Sequence, residues 1–181
     1  MDRTVDNSLF DYAIIGAGIL GLTIAAKITE SYPNAKLAIL DKESGPAQHQ
    51  TGRNSGVIHA GVYYTPGSAK ARLCRAGVPM LIDFCRKNQV AYEQCGKMIV
   101  AVNADEVQQM SALYARAKEN GIEIDRVGKE ELKDREPAIT GEAALYSPTT
   151  GIVDYKQVCE KLVAKLKDHG ATFLYLSLIH I

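Results

Sequence analysis

The 181-residue sequence predicts an α/β fold in which a first unit is interrupted by part of a second domain. The chain opens with a strand–helix–strand pattern of about 30 residues, the size expected of a parallel crossover. Mixed strands and helices follow in its middle. A helix and a strand then close the sequence, and they indicate a return to the first unit.

The opening crossover follows from three segments. FDYAIIGAG (residues 10–18) predicts a buried strand that runs into a glycine turn. ILGLTIAAKITESY (residues 19–32) predicts a helix, which Pro33 and Asn34 end. AKLAILDK (residues 35–42) predicts the second strand of the crossover.

The remaining elements are predicted from helical spacing, glycines and prolines. Strands are expected on both sides of Gly96, on both sides of a Pro-Thr-Thr-Gly turn in residues 143–154, and from Ala171. Helices are expected over residues 68–89, 105–121, 129–136 and 155–170. The inward face of the first is predicted to hold Leu73, Gly77, Met80, Leu81 and Phe84, and that of the second Val107, Met110, Leu113, Tyr114 and Ala117.

Composition and charge exclude several classes of protein. The chain is 46% hydrophobic and 23% charged with a formal net charge of zero, which argues against a dedicated nucleic-acid binder. No apolar run is long enough to span a bilayer, and the polar N-terminus does not resemble a secretory signal. The four cysteines form no C-x-x-C pair, so we expect no metal and reduced thiols. A cytoplasmic location is expected, and peripheral contact with the inner membrane stays open.

The segment GAGILG places a G-x-G-x-x-G motif at Gly16, Gly18 and Gly21, between a strand and a helix. Gly16 permits the tight turn, Gly18 lets a pyrophosphate approach the backbone, and Gly21 lets the helix lie close to the strand. Asp41 ends the second strand, 20 residues after Gly21, where a carboxylate can accept hydrogen bonds from ribose hydroxyls. This combination predicts a Rossmann-like dinucleotide site without choosing between NAD and FAD. The alternative is a glycine turn with no ligand and a surface acid.

The segment TGRNSGVIHAGVYYTPGS (residues 51–68) favours FAD over NAD. In a simple NAD dehydrogenase the chain usually continues from the second strand into the next crossover helix, without such a loop. Thr51, Ser55 and nearby backbone N–H groups could cradle phosphate or ring oxygens. Arg53 could offset pyrophosphate charge. Gly56 and Gly61 would let a flat ring approach closely.

Four stretches resemble the L-2-hydroxyglutarate oxidase/dehydrogenase family, which belongs to the FAD-dependent oxidoreductases of the D-amino-acid oxidase type. They are HQTGRNSGVIHAGVYYTPGSAKARLCRAG, CGKMIVA, EPAITGEAALYSPTTGIVDY and DYAIIGAGILGL. The resemblance implies a FAD-binding domain of glutathione-reductase type and a mixed-sheet α+β substrate domain. It also implies oxidation of L-2-hydroxyglutarate to 2-oxoglutarate, with hydride passing to the flavin and electrons then to oxygen or a membrane quinone.

The resemblance further implies roles for individual residues. It implies that Gly16, Gly18 and Gly21 bind the pyrophosphate. It also implies that Asp41, at a position where the family usually has glutamate, binds the ribose. The other cofactor-binding residues that it implies are Lys42, Thr51, Gly52, Arg53, Asn54, Ser55 and Gly56. Residues 59–64 would then lie near the flavin ring or the substrate.

Oxidation of an α-hydroxy acid removes a hydroxyl proton as well as a hydride, and a histidine is suited to accept that proton. His59 is the candidate catalytic base. Two other interpretations stay open: a histidine that only packs on or hydrogen-bonds the flavin, and one linked to it covalently. Tyr63 and Tyr64 are the candidate substrate-binding residues.

A dicarboxylate substrate also needs cations, and Lys70, Arg72 and Arg75 follow the loop. Their spacing along a helix fits a solvated face equally well. Asp154 is expected to cap the helix that begins at Tyr155.

The family's proteins are about twice as long as this chain, so we expect an N-terminal, truncated portion. The predicted domains are residues 1–89 (FAD-binding, N-terminal part), 90–154 (part of the substrate domain) and 155–175 (return to the FAD-binding domain). The last six residues, LSLIHI (176–181), are expected to be a non-native tail, because a transposon end used in sequencing libraries encodes them.

Two alternatives to this function stay open at the level of sequence. One is a related FAD oxidoreductase that acts on glycerol 3-phosphate or an amino acid. The other is a nucleotide-binding module without catalytic activity.

Overall fold

The computed structural model describes residues 9–177 and divides the chain into two compact units. The first consists of Met1–Ser55 and Asp154–Ile181, and the second is Gly56–Val153. The first predicted domain boundary fell after Gln89, whereas residues 56–89 lie in the second unit. Which unit holds the cofactor and which the substrate stays a prediction.

Helices and strands alternate as the sequence predicts. The structure also contains two strands that the sequence analysis did not predict. The strands are, in chain order, β1 (Tyr12–Ile15), β2 (Leu37–Leu40), β3 (Val57–Ile58), β4 (Tyr92–Glu93), β5 (Lys97–Ala101), β6 (Asp125–Gly128), β7 (Ala143–Ser147), β8 (Gly151–Val153) and β9 (Thr172–Leu174). The helices are α1 (Ile19–Ser31), α2 (Ala69–Asn88), α3 (Ala104–Glu119), α4 (Lys129–Arg135) and α5 (Tyr155–Asp168), and a 3₁₀ turn covers Gln50–Gly52. Within residues 9–177, no helix is both long and apolar enough to cross a bilayer.

The first unit is a three-stranded parallel sheet in the order β1-β2-β9. β2 is the central strand, with Leu37, Ala38 and Ile39 fully buried. α1 and α5 pack against each other, and α5 buries an apolar stripe that includes Leu162 and Leu166. Burial raises the pKa of the Cys159 thiol on this stripe to about 11, with a smaller contribution from the charge of Glu160. The parallel crossover is therefore formed as predicted.

The prediction that the first strand is buried is wrong. β1 is an edge strand that pairs only with β2 among the described residues, and Ile15 is 70% exposed. α1 also leaves apolar side chains in solvent, since Leu20 is 78% and Ile24 55% exposed. An apolar strand is buried only when other elements cover both its faces, and the described residues supply too few of them.

The second unit contains two antiparallel three-stranded sheets, in the orders β3-β8-β4 and β5-β7-β6. The apolar face of α3 packs as predicted, with Ala117 buried and Met110, Leu113 and Tyr114 against the same core cluster. β3 and β6 are the two strands that the sequence analysis missed. β3 has two residues and β6 begins with two charged ones, so neither shows a strand period.

The predicted inward face of α2 is partly wrong. Leu73 is 71% and Met80 60% exposed, whereas Ile82 and Cys85 are the buried residues of this helix. The helix itself is specified locally, because the Ser68 hydroxyl accepts a hydrogen bond from Ala71 N at 3.2 Å as its N-cap.

Two residues of the predicted non-native tail lie against the end of the second strand. Leu176 N donates to Glu43 O and Ser177 N to Asp41 O, both at 3.0 Å. Residues 178–181 lie outside the described residues, and the non-native origin of the tail stays a prediction.

Candidate cofactor and substrate sites

The glycine turn between β1 and α1 has the geometry that a dinucleotide site needs. Gly16 has φ +104°, a conformation that L side chains rarely adopt. A Cβ built on Gly21 would overlap the carbonyl oxygen of Gly16 and lie 3.3 Å from Ile14 Cγ2. A Cβ on Gly18 would lie 3.2 Å from Thr51 Oγ1. Gly21 therefore keeps the helix closer to the turn than any side chain would allow, and Gly16 is required by its backbone conformation.

The N-terminus of α1 presents backbone N–H groups that lack intrahelical partners. The Thr51 hydroxyl accepts one of them, from Ile19 N, at 3.1 Å. Those of Gly18, Leu20 and Gly21 have no partner among the described residues, and the first turn carries no acidic side chain. Such a helix end attracts anions, because its N–H groups and its dipole both favour negative charge.

Asp41 braces this turn, a role that sequence reasoning did not predict. Its Oδ2 accepts a hydrogen bond from Ala17 N at 2.6 Å, and its Oδ1 accepts one from Glu43 N at 2.9 Å. A carboxylate has lone pairs left for further donors, so the predicted ribose contact is compatible with both bonds. Asp41 therefore ties the end of β2 to the glycine turn.

A buried phenol lies close to Asp41. Tyr175 Oη is shielded from solvent and has no hydrogen-bond partner among the described residues. Burial raises the pKa of this phenol, and the negative charge of Asp41 raises it further. An orphaned hydroxyl beside a carboxylate, together with the close-packed glycine turn, fits a ribose and a pyrophosphate.

We expect Asp41→Asn to weaken FAD binding about 10- to 100-fold, because an amide nitrogen cannot accept the hydrogen bond that one carboxylate oxygen accepts. The flavin-free protein should also unfold more easily, by about 1–3 kcal/mol. Fluorescence titration with FAD and thermal unfolding of the flavin-free, full-length protein measure the two effects.

Asp11→Asn is the matched control for this prediction. Asp11 Oδ2 accepts from Lys36 N at 2.8 Å, so it joins the same two chain segments just before β1 and β2 begin. This variant removes the same charge, and its one amide oxygen can still accept the single bond from Lys36 N, so it should keep its FAD affinity and most of its stability. Equal FAD affinity in Asp41→Asn and the unmodified protein would contradict the role given to Asp41.

Most of the other predicted cofactor residues lie in the 3₁₀ turn or directly after it. A Cβ on Gly52 would overlap the carbonyl oxygen of Ala47, so this position is also closed to side chains. Asn54 Nδ2 donates to Gln50 O and Thr51 O, at 3.1 and 2.7 Å. Three predicted residues are exposed, namely Arg53, Asn54 and Ser55.

Two predicted residues fall outside this group. Lys42 lies beside Glu43, with 3.9 Å between Nζ and Oε1. Gly56, with φ +68°, lies in the second unit, where its carbonyl accepts a hydrogen bond from Val153 N at 2.8 Å.

The second unit contains a cavity of about 140 Å³ that brings the predicted substrate residues together. It is lined by His59, Ala60, Gly61, Val62, Tyr63, Tyr64, Lys97 and Thr150. Its volume far exceeds what one water requires. His59, Tyr63 and Tyr64, which were singled out from the sequence, therefore share one cavity.

Contacts from α2 and α3 fix the loop that forms this cavity. Cys74 Sγ donates to His59 O at 2.9 Å, and a Cβ on Gly61 would lie 3.2 Å from the same sulfur. Asn120 Nδ2 donates to Tyr64 O at 2.8 Å. Gly61 has φ +90°, so both its conformation and its neighbours require glycine.

The predicted cations do not line the cavity. Lys70 and Arg72 are exposed on α2, and Arg75 Nη1 donates to Asn120 O at 3.5 Å. Lys97, which the sequence analysis did not single out, lines the cavity instead. Lys97 lies in the segment CGKMIVA, directly after Gly96, and this segment is one of the stretches that resemble the family.

The Pro-Thr-Thr-Gly segment also contributes a cavity residue. Thr150 is buried, and its hydroxyl donates to Ser147 Oγ at 3.3 Å. Asp154 caps α5 as predicted, with Oδ1 accepting from Lys156 N at 2.8 Å. Within residues 9–177, no three His, Cys, Asp or Glu side chains are grouped so as to hold a metal ion.

Comparison with known proteins identifies the class of protein. The family described as "DAO: FAD dependent oxidoreductase" matches residues 11–179. The chain belongs to this family. The predicted fold class is confirmed, and so is the predicted membership in a family of FAD-dependent oxidoreductases.

Individual relatives are more specific. The chain is 47% identical over 167 residues to the L-2-hydroxyglutarate dehydrogenase of Escherichia coli O17:K52:H18, covering 92% of this chain and 40% of that protein. It is 41% identical over 173 residues to the mitochondrial L-2-hydroxyglutarate dehydrogenase of Pongo abelii, covering 95% of this chain and 41% of that protein. The chain thus spans about two fifths of the length of the curated relatives that it matches.

A solved structure has the same fold. A dithionite-reduced L-α-glycerophosphate oxidase from Mycoplasma pneumoniae with FAD bound superimposes with a TM-score of 0.85 at 24% identity. The match covers 92% of this chain and 44% of that one. At this identity the likeness concerns the fold alone.

Proposed function

We propose that this chain forms the N-terminal part of an FAD-dependent enzyme that oxidises L-2-hydroxyglutarate to 2-oxoglutarate. The observation that carries the proposal is its 47% identity, over 92% of its length, to a bacterial L-2-hydroxyglutarate dehydrogenase. The first unit would then belong to the cofactor domain and the second to the substrate domain.

The residues of the first unit would hold FAD. The N–H groups at the start of α1 would bind the pyrophosphate, and Asp41 would accept hydrogen bonds from the ribose. Thr51, which already binds Ile19 N, would keep the loop beside this helix end. When bound, the flavin accepts the hydride that leaves C2 of the hydroxy acid.

The residues of the second unit would bind and deprotonate the substrate. His59 lines the cavity and is proposed to take the hydroxyl proton as the hydride leaves. Tyr63 and Tyr64 are proposed to contact the substrate through their rings or hydroxyls.

The acceptor of the electrons is proposed to be oxygen or a membrane quinone, in the cytoplasm or at the inner membrane. The two acceptors are separated by measuring hydrogen peroxide release against the reduction of an added quinone.

The proposed reaction predicts that the L isomer alone reduces the flavin. The full-length enzyme is mixed with L-2-hydroxyglutarate without oxygen, and the visible absorbance of the flavin is followed. We expect rapid bleaching by the L isomer, and none by D-2-hydroxyglutarate, glycerol 3-phosphate or an amino acid. A yellow protein that stays oxidised would discard the substrate, and a colourless protein would favour a nucleotide-binding module without this activity.

A further inference from the structure

We propose that Lys97 binds a carboxylate group of the substrate and so gives the cavity its preference for dicarboxylic acids. The identity of the substrate in this inference rests on the proposed function. The choice of Lys97 as the binding residue rests on the geometry of the second unit.

The backbone fixes Lys97 at the edge of the cavity. Lys97 is the first residue of β5 and pairs with Ser147 of β7. Gly96 has φ +77°, and its N–H donates to Thr150 O at 2.9 Å. A Cβ on Gly96 would overlap the ring of Tyr146, so the turn that precedes Lys97 requires glycine. Lys97 and Thr150 are therefore held together by main-chain contacts.

An aromatic ring holds the ammonium group at this edge. Lys97 Nζ lies 5.0 Å from the centroid of the Tyr63 ring, within the range of a cation–π interaction. Both side chains line the cavity. A cation–π contact restrains the position of an ammonium group but accepts none of its three N–H donors.

Within residues 9–177, no carboxylate pairs with the Lys97 ammonium group. Lys97 forms no ion pair with another described residue, and the cavity is lined by no aspartate or glutamate. A half-buried cation without a carboxylate partner is well placed to receive one from a ligand, since a charge-assisted hydrogen bond is among the stronger polar contacts. The cations that the sequence first suggested lie on α2, outside this lining.

Binding of glutarate tests this inference without turnover. Glutarate carries two carboxylates but no hydroxyl, so it can occupy the site without reducing the flavin. Its Kd for the FAD-loaded, full-length enzyme is measured by titration calorimetry. We expect Lys97→Gln to raise this Kd by about 10- to 100-fold, and Lys97→Arg to recover part of the loss.

Lys118→Gln is the matched control. Lys118 Nζ lies 5.4 Å from the Tyr114 ring in the same unit, so this variant removes an equivalent cation and the same net charge outside the cavity. We expect it to bind glutarate as the unmodified enzyme does. Equal weakening by both variants would mean a general charge effect and would overturn the inference.

Two further outcomes would also overturn it: an unmodified enzyme that binds no glutarate, and a Lys97→Gln variant whose Kd stays within about twofold. Thermal unfolding of Lys97→Gln separates lost binding from lost folding. The proposed function fails independently, if L-2-hydroxyglutarate leaves the flavin oxidised while glutarate still binds in a Lys97-dependent way.

Discussion

Gly21→Ala is expected to yield a full-length enzyme that is purified without its flavin. The new Cβ would overlap the carbonyl oxygen of Gly16, which is backbone and cannot rotate away. The helix must therefore move from the strand, and the N–H groups at its start move with it. We expect the Kd for FAD to rise by at least about 100-fold. The free energy of unfolding of the flavin-free protein should fall by about 1–3 kcal/mol.

The ratio of flavin to protein absorbance after purification, and the unfolding midpoint without FAD, measure these effects. Gly77→Ala is the matched control, because Gly77 lies inside α2 and a Cβ built on it meets no atom within 4 Å. It should retain FAD and be unchanged or slightly more stable, since alanine has the higher helix propensity. A yellow, stable Gly21→Ala protein would show that the close approach of helix and strand is dispensable.

The part of the structure that could be predicted from sequence is the part that short-range rules decide. Gly16, Gly18 and Gly21 lie where the motif places them, because a strand, a tight turn and a helix start are all specified within a few residues. The cap at Asp154 is local in the same way. Both features were predicted with their physical reasons.

What could not be predicted depends on distant partners. Ile15 was expected to be buried, but its exposure depends on which strands flank β1 and not on its own apolar character. Lys97 reaches the cavity only because β5 pairs with β7, more than 40 residues later in the chain. The bond from Ala17 N to Asp41 also joins residues 24 positions apart. Single-sequence patterns carry no record of such pairings.

The candidate site shows the same division. His59, Tyr63 and Tyr64 were singled out for the chemistry of their side chains within one loop, and that loop brings them to one cavity. The predicted cations were also close in sequence to this loop, but α2 carries them elsewhere. Proximity along the chain was therefore a good guide within the loop and a poor one beyond it.

His59→Gln is expected to slow reduction of the flavin by L-2-hydroxyglutarate about 10²- to 10⁴-fold, the range that general base catalysis contributes. Glutamine can still hydrogen-bond but cannot accept the proton. Anaerobic stopped-flow absorbance of the flavin measures this rate.

The competing roles of His59 predict different results. A histidine that only packs on the flavin would leave the rate of reduction within about tenfold. A covalent link would keep the flavin on the denatured, unmodified protein and release it from His59→Gln. His169→Gln is the control, because His169 is exposed at the end of α5, where its Nδ1 contacts Lys165 O at 2.9 Å. Since that histidine lies outside the cavity lining, only the variant at position 59 should slow the reduction of the flavin if proton removal belongs to this loop.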